Sequence, residues 1–177
     1  MLALRTTILL ALAQVVVPSS IAVQMLPSAV RWSVPISSSP VAPPVIDKDQ
    51  VFVVLQSGAV EAHKVADGTI AWKIELRSDF PVAVDDDRVY VAALDNVVRG
   101  LDRKSGNLRW QRALDRRLVA GVQIAGHVVF VDVSGAELVM LFDATGARSG
   151  SIALPRETTG NLAIDVRETD TNVQVFP

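Results

Sequence analysis

Gly100-Leu101-Asp102-Arg103-Lys104-Ser105-Gly106-Asn107-Leu108-Arg109-Trp110 is the stretch from which the fold of this 177-residue chain is read. It places a Ser-Gly turn between two runs with strand character, and a tryptophan at the fourth position beyond the glycine. The same arrangement stands earlier in the chain as Ala62-His63-Lys64-Val65-Ala66-Asp67-Gly68-Thr69-Ile70-Ala71-Trp72. A third glycine, Gly146, follows Gly106 at nearly the spacing that separates Gly106 from Gly68, but Gly150 occupies its tryptophan position. Each glycine permits a tight turn, and the indole beyond it can lie over the turn of a neighbouring unit and tie the two together.

Working outward, each turn sits at the same place in a unit of four short strands. The first unit runs Val45-Ile46, Val51 to Leu55, Ala59 to His63 and Thr69 to Leu76. The second runs Val82 to Val84, Val89 to Ala92, Val97 to Leu101 and Asn107 to Leu114. The third runs Val122 to Ile124, Val128 to Val131, Leu138 to Phe142 and Arg148 to Leu154, with Val128 aligned to Val89 and Val51. β-branched and aromatic residues fill the strands, whereas Gly, Asp, Asn and Ser hold the turns. Four antiparallel strands every ~40 residues is the period of a propeller blade. The expected fold is therefore all-β, an array of four-stranded antiparallel blades.

The chain resembles the PQQ-like (pyrroloquinoline-quinone-type) β-propeller repeat family, whose docking motif runs Ala-x-Asp-x-x-Thr-Gly-Lys-x-x-Trp. The first copy keeps Ala62, Gly68 and Trp72 but has Lys64 at the aspartate position. The second keeps Asp102, a hydroxyl at Ser105, Gly106 and Trp110, and the third offers Asp143, Thr145 and Gly146 without the tryptophan. The resemblance covers roughly residues 32 to 176 and assigns Gly68, Trp72, Gly106, Trp110 and Gly146 to blade docking.

The expected organisation is a signal peptide at 1–22, a linker and leading strand at 23–40, blades at 41–78, 79–117 and 118–157, and a partial blade at 158–177. Arg31 to Ile36 reads as the last strand of a preceding unit, because Trp32 lies one repeat length before Trp72. Leu162 to Val166 and Asn172 to Phe176 read as the first two strands of a following one. Three whole blades and one composite blade are fewer than most closed propellers carry. The expectation is therefore an incomplete array, completed by further blades or by a second copy.

Arg5 followed by the apolar run Ile8 to Val17, a helix break at Pro18-Ser19 and small residues at Ser20 and Ala22 has the layout of a secretory signal. The run is shorter than the roughly 20 apolar residues a membrane span needs, so the expected location is periplasmic or secreted. With 17 basic and 19 acidic residues spread along the chain, nothing makes the clustered basic face that nucleic acid requires. The absence of cysteine excludes disulfides, thiolate metal sites and a cysteine nucleophile.

The candidates for chemistry are few. His63 and His127 are the only histidines, fall at different places in their repeats, and read as polar strand and turn positions. Asp85-Asp86-Asp87-Arg88 could offer oxygens to calcium, but it occupies the same turn as Asp47-Lys48-Asp49 and Ala125-Gly126-His127 and lacks the spacing of a calcium loop. Ser57-Gly58 and Ser134-Gly135 are turn pairs rather than nucleophile elbows. Arg109, Arg112, Arg116 and Arg117 form a basic cluster that reads as solvated. No catalytic, cofactor or metal residue is assigned. The resemblance implies a non-catalytic interaction module in the bacterial envelope, like the BamB-like periplasmic propeller of outer-membrane assembly, with envelope proteins as partners. Its alternative implication is a quinoprotein dehydrogenase relative using pyrroloquinoline quinone and calcium.

Overall fold

The computed structural model describes residues 30–158 and the backbone of 163–166 and 173–176. The expected signal peptide lies outside the described residues. Among the described residues no helix is long and apolar enough to cross a membrane.

Three four-stranded antiparallel sheets follow one another, each in simple sequence order. Blade 1 consists of β1 (Val45–Asp47), β2 (Gln50–Val54), β3 (Ala59–Lys64) and β4 (Ile70–Glu75). Blade 2 contains β5 (Ala83–Val84), β6 (Arg88–Ala92), β7 (Val97–Asp102) and β8 (Leu108–Ala113). Blade 3 contains β9 (Gln123–Ala125), β10 (Val128–Val133), β11 (Glu137–Phe142) and β12 (Arg148–Ala153). β13 (Ala163–Val166) and β14 (Val173–Phe176) pair as a separate hairpin. First strands of successive blades lie beside one another, β5 by β9 and β9 by β13, which is the arrangement of blades around an axis. Among the described residues the propeller is incomplete, not closed.

The apolar runs are continuous because the inner strands are covered on both sides. Val89 and Val91 of β6 point back to Phe52, Val54, Val60, Ala62 and Trp72 of blade 1. Tyr90 and Ala92, alternating with them, point forward to Val129, Val131, Val139 and Leu141 of blade 3. A strand buried on both faces cannot show the polar alternation of a solvated sheet. The outer strands of blades 1 and 2 instead bury a single residue each, Trp72 in β4 and Trp110 in β8.

Two expectations change. Residues 31–36 form no strand; Trp32 is held by its side chain, as described below. Val129, not Val128, matches Val89: Val51, Val89 and Val129 pair with Ile46, Val84 and Ile124 respectively. The second step of the repeat is therefore the same for this strand as for the turn glycines, and slightly longer than the first. The added length lies in the connection from β8 to β9, which exceeds that from β4 to β5. That longer connection gains a bridge between Leu118 and Val133, which ties it to the next blade.

Candidate functional site

The seams between blades bring the tryptophans together with several charged side chains. Trp72, on the outer strand of blade 1, reaches the turn between the third and fourth strands of blade 2. Its Nε1 donates to Arg103 O at 2.7 Å, and a Cβ at Gly106 would stand 2.8 Å from the indole Cδ2. Trp110 repeats the contact on blade 3, donating to Asp143 O at 2.7 Å with its ring against Gly146. Trp32 does the same on blade 1, donating to Val65 O at 2.8 Å with its ring over Gly68. Gly68, Gly106 and Gly146 have φ of 75°, 73° and 66°, so each combines a left-handed backbone with a surface only hydrogen leaves free.

Opposite each docking indole the partner strand must be small. Trp72 pairs with Ala62 and Trp110 with Gly100, where a Cβ would come 2.6 Å from the indole nitrogen. Blade 3 exchanges the two sizes, with Gly150 paired to Met140.

A polar clamp accompanies the docked Trp72 and Trp110, whereas the seat of Trp32 carries Val65 at that position. Arg103 of blade 2 is 4% exposed and reaches into the first turn of blade 1. Its guanidinium donates to Gln50 Oε1 at 3.2 Å, Asp47 O at 2.8 Å and Asp49 Oδ1 at 3.2 Å, and it also pairs with the Asp47 carboxylate. It holds Asp85 O of its own blade at 3.1 Å and lies over the Phe52 ring. At the next seam the same position carries Asp143, whose carboxylate meets Arg88 of blade 2 at 3.7 Å and His127 of its own blade at 3.1 Å. The two clamps thus have opposite polarity. Arg112 adds a donation to Gly146 O at 2.8 Å. Sequence reasoning gave Arg103 no role and counted Asp143 towards the docking motif, although Asp143 occupies the repeat position of Arg103 rather than that of Asp102.

The expected chemical candidates are drawn into the same framework. Asp85 accepts the amides of Asp87 and Arg88 and the Tyr90 hydroxyl, and Asp86 pairs with Lys48 of blade 1. Burial first, and then the Asp85 carboxylate, raise the Tyr90 phenol well above its ordinary range. Asp102 accepts the Lys104 and Ser105 amides, the Ser105 hydroxyl and Arg109; Arg109 and Ser105 hold its carboxyl far below the usual carboxylate range. In blade 1, where Lys64 replaces that aspartate, Asp67 does the work by capping Thr69. Arg116 reaches Ser134 O at 3.2 Å and Glu137 at 3.6 Å, so the basic cluster is largely engaged. His63, expected at a polar strand position, lies in β3 and is buried against Glu61.

Two further features stand out. A charged cavity of about 450 Å³ opens beside the seam of blades 2 and 3, lined by Asp86 to Arg88, Asp102 to Lys104, Arg109 and Ala144. Asp132, on the side of blade 3 away from blade 2, is 4% exposed; among the described residues its Oδ1 has no partner, while Thr158 donates to Oδ2. Burial raises its carboxyl above the ordinary value. Among the described residues no three His, Asp or Glu side chains converge as a metal ion requires. The Asp85 to Asp87 run does not fit a calcium site, since the Asp85 carboxylate is committed to its own turn and the Asp86 carboxylate to Lys48.

Repeated blades, docked indoles and first strands set side by side define a PQQ-like β-propeller repeat protein. A family model described as outer membrane protein assembly factor BamB matches residues 20–175, and the chain belongs to that family. Among solved structures, BamB from Moraxella catarrhalis is similar at 24% identity and TM-score 0.62, over 69% of this chain and 39% of that one. The chain therefore spans about two fifths of that protein's length. A quinohemoprotein alcohol dehydrogenase from Pseudomonas putida HK5 is similar at 20% identity and TM-score 0.58, over 70% of this chain and 22% of that one. The computationally designed Ika4 protein is similar at 15% identity and TM-score 0.65, over 84% of this chain and 98% of its own. None of the curated proteins matches the chain.

Proposed function

We propose that this chain is a non-catalytic scaffold of the bacterial envelope, binding other proteins of outer-membrane assembly in the periplasm. The observation that carries this reading is where the reactive side chains go. Arg103, Asp85, Asp102 and Asp143, together with the three tryptophans, are committed to turns and seams. What is offered outward is a rigid array carrying exposed loops, among them Leu94 and the connection bearing Arg117. Loops on a fixed framework suit protein recognition, and the match to the BamB family points to assembly factors as partners.

The test is binding of the purified chain to purified periplasmic segments of outer-membrane assembly proteins. Micromolar binding is expected, weakened about tenfold by Leu94→Asp with Arg117→Glu, a loss of about 1.4 kcal/mol, with the melting temperature unchanged. Absence of binding, or indifference to the double substitution, overturns the reading. Pyrroloquinoline quinone with calcium is expected to give neither a bound-cofactor absorption band nor alcohol-dependent dye reduction; either signal restores the dehydrogenase reading.

A further inference from the structure

We infer that His63 is a pH-sensitive prop beneath the seat of Trp32, holding the leading segment on blade 1 when its imidazole is charged and loosening it when the proton leaves. His63 is 3% exposed. Its Nδ1 lies 3.0 Å from Gly68 O and its Nε2 lies 3.0 Å from Glu61 Oε2. A carbonyl and a carboxylate can only accept, so both contacts are hydrogen bonds only when both ring nitrogens carry protons.

Gly68 is the glycine on which the Trp32 ring rests. A Cβ there would stand 2.7 Å from Trp32 Cε3 and 2.9 Å from Val34 Cγ1. The imidazole and the indole thus grip one turn, through Gly68 O and through Val65 O. Losing either imidazole proton sets a nitrogen lone pair against an oxygen, at the turn or at Glu61.

The charged groups facing His63 are Glu61 on its own strand and, through Glu61, Lys73 of β4, whose Nζ stands 3.1 Å from Glu61 Oε1. The strands flanking His63 place Val51 and Ile70 opposite it, and the leading segment brings Trp32 and Val34 to the turn. Blades 2 and 3 carry Leu101 and Leu141 at the His63 position, so the seats of Trp72 and Trp110 have no titrating prop. They are controls within the same molecule.

The experiment follows the three indole Nε1–H signals of the whole chain by NMR, assigned by Trp→Phe variants, with hydrogen-exchange protection measured across the imidazole titration. The protection factor of Trp32 is expected to fall about tenfold as pH rises, that of Trp72 and Trp110 to hold. His63→Gln abolishes the step. Glu61→Gln moves it to lower pH, because the charged imidazole loses its carboxylate, and this serves where His63→Gln fails to fold. The inference is overturned if Trp32 shows no step, if all three indoles respond alike, if the step survives His63→Gln, or if Glu61→Gln leaves its midpoint in place.

Discussion

A glycine that carries a neighbour's indole is fixed by two constraints, and they have different costs. At Gly106 a Cβ meets both a φ of 73° and the Trp72 ring, neither of which yields without unseating the blade. Gly106→Ala is expected to cost about 2–4 kcal/mol, from the left-handed backbone and the lost indole packing. Urea unfolding measures the cost, and a red shift of Trp72 emission accompanies it. Gly150 is the contrast: its added Cβ meets only the flexible end of Met140 at 3.1 Å, so Gly150→Ala is expected to stay within about 0.5 kcal/mol of the parent. Equal effects at the two sites would disprove the division. Asp132 behaves oppositely to a paired acid. Its raised carboxyl means the folded state prefers the neutral form, so its contribution is present in acid and lost as pH rises through its folded value. Asp132→Asn keeps an acceptor for Thr158 and removes the charge, and should raise the melting temperature at neutral pH by about 2–4 °C. That gain should vanish in acid; a gain independent of pH would rule out titration as its source.

At the scale of elements, the charge-swapped clamps decide which blade turns fit together. Arg103 faces Gln50, Asp47 and Asp49 at the first seam, whereas Asp143 faces Arg88 at the second. Arg103→Ala leaves a half-buried Asp47 without its cation and is expected to cost about 1–3 kcal/mol, below the penalty for a fully buried pair because the acidic partners reach solvent. Exposed pairs such as Arg148 with Glu137 should cost about 0–1 kcal/mol when broken. Thermal melts of Arg103→Ala and Arg148→Ala in parallel test this ordering, and reversal of the two refutes it. The elements themselves were legible in the sequence, because a period of about 40 residues punctuated by turn glycines admits few other arrangements. The clamps were not, since a repeat reading aligns like with like, and Arg103 and Asp143 are unlike. The strand expected at 31–36 failed for a related reason. Its tryptophan spacing reports where an indole docks, which Trp32 satisfies from a segment with no ladder partner. The burial of His63 was not legible, because only β3 of blade 1 puts a buried, doubly bonded ring where the equivalent strands carry leucine.

For the whole molecule, packing against a described four-stranded blade on each side distinguishes blade 2 from its neighbours. Val89 and Val91 pack back onto blade 1 while Tyr90, Ala92 and Val98 pack forward onto blade 3. In repeat arrays stability is close to a sum of blade terms and seam terms, so the blade with two complete seams should open last. Blade 3 has one docked indole, Trp110, received from blade 2, and Gly150 where it would send one onward. Native-state hydrogen exchange is therefore expected to protect β6 and β7 most, with β12 at least about tenfold less protected, a difference of about 1.4 kcal/mol in opening free energy. Trp110→Phe removes the donation to Asp143 O and should lower protection across β10 and β11 while leaving β2 and β3 as they were. If that substitution lowers protection evenly from β1 to β12, the blades unfold as a single unit and the seams do not act as separable terms.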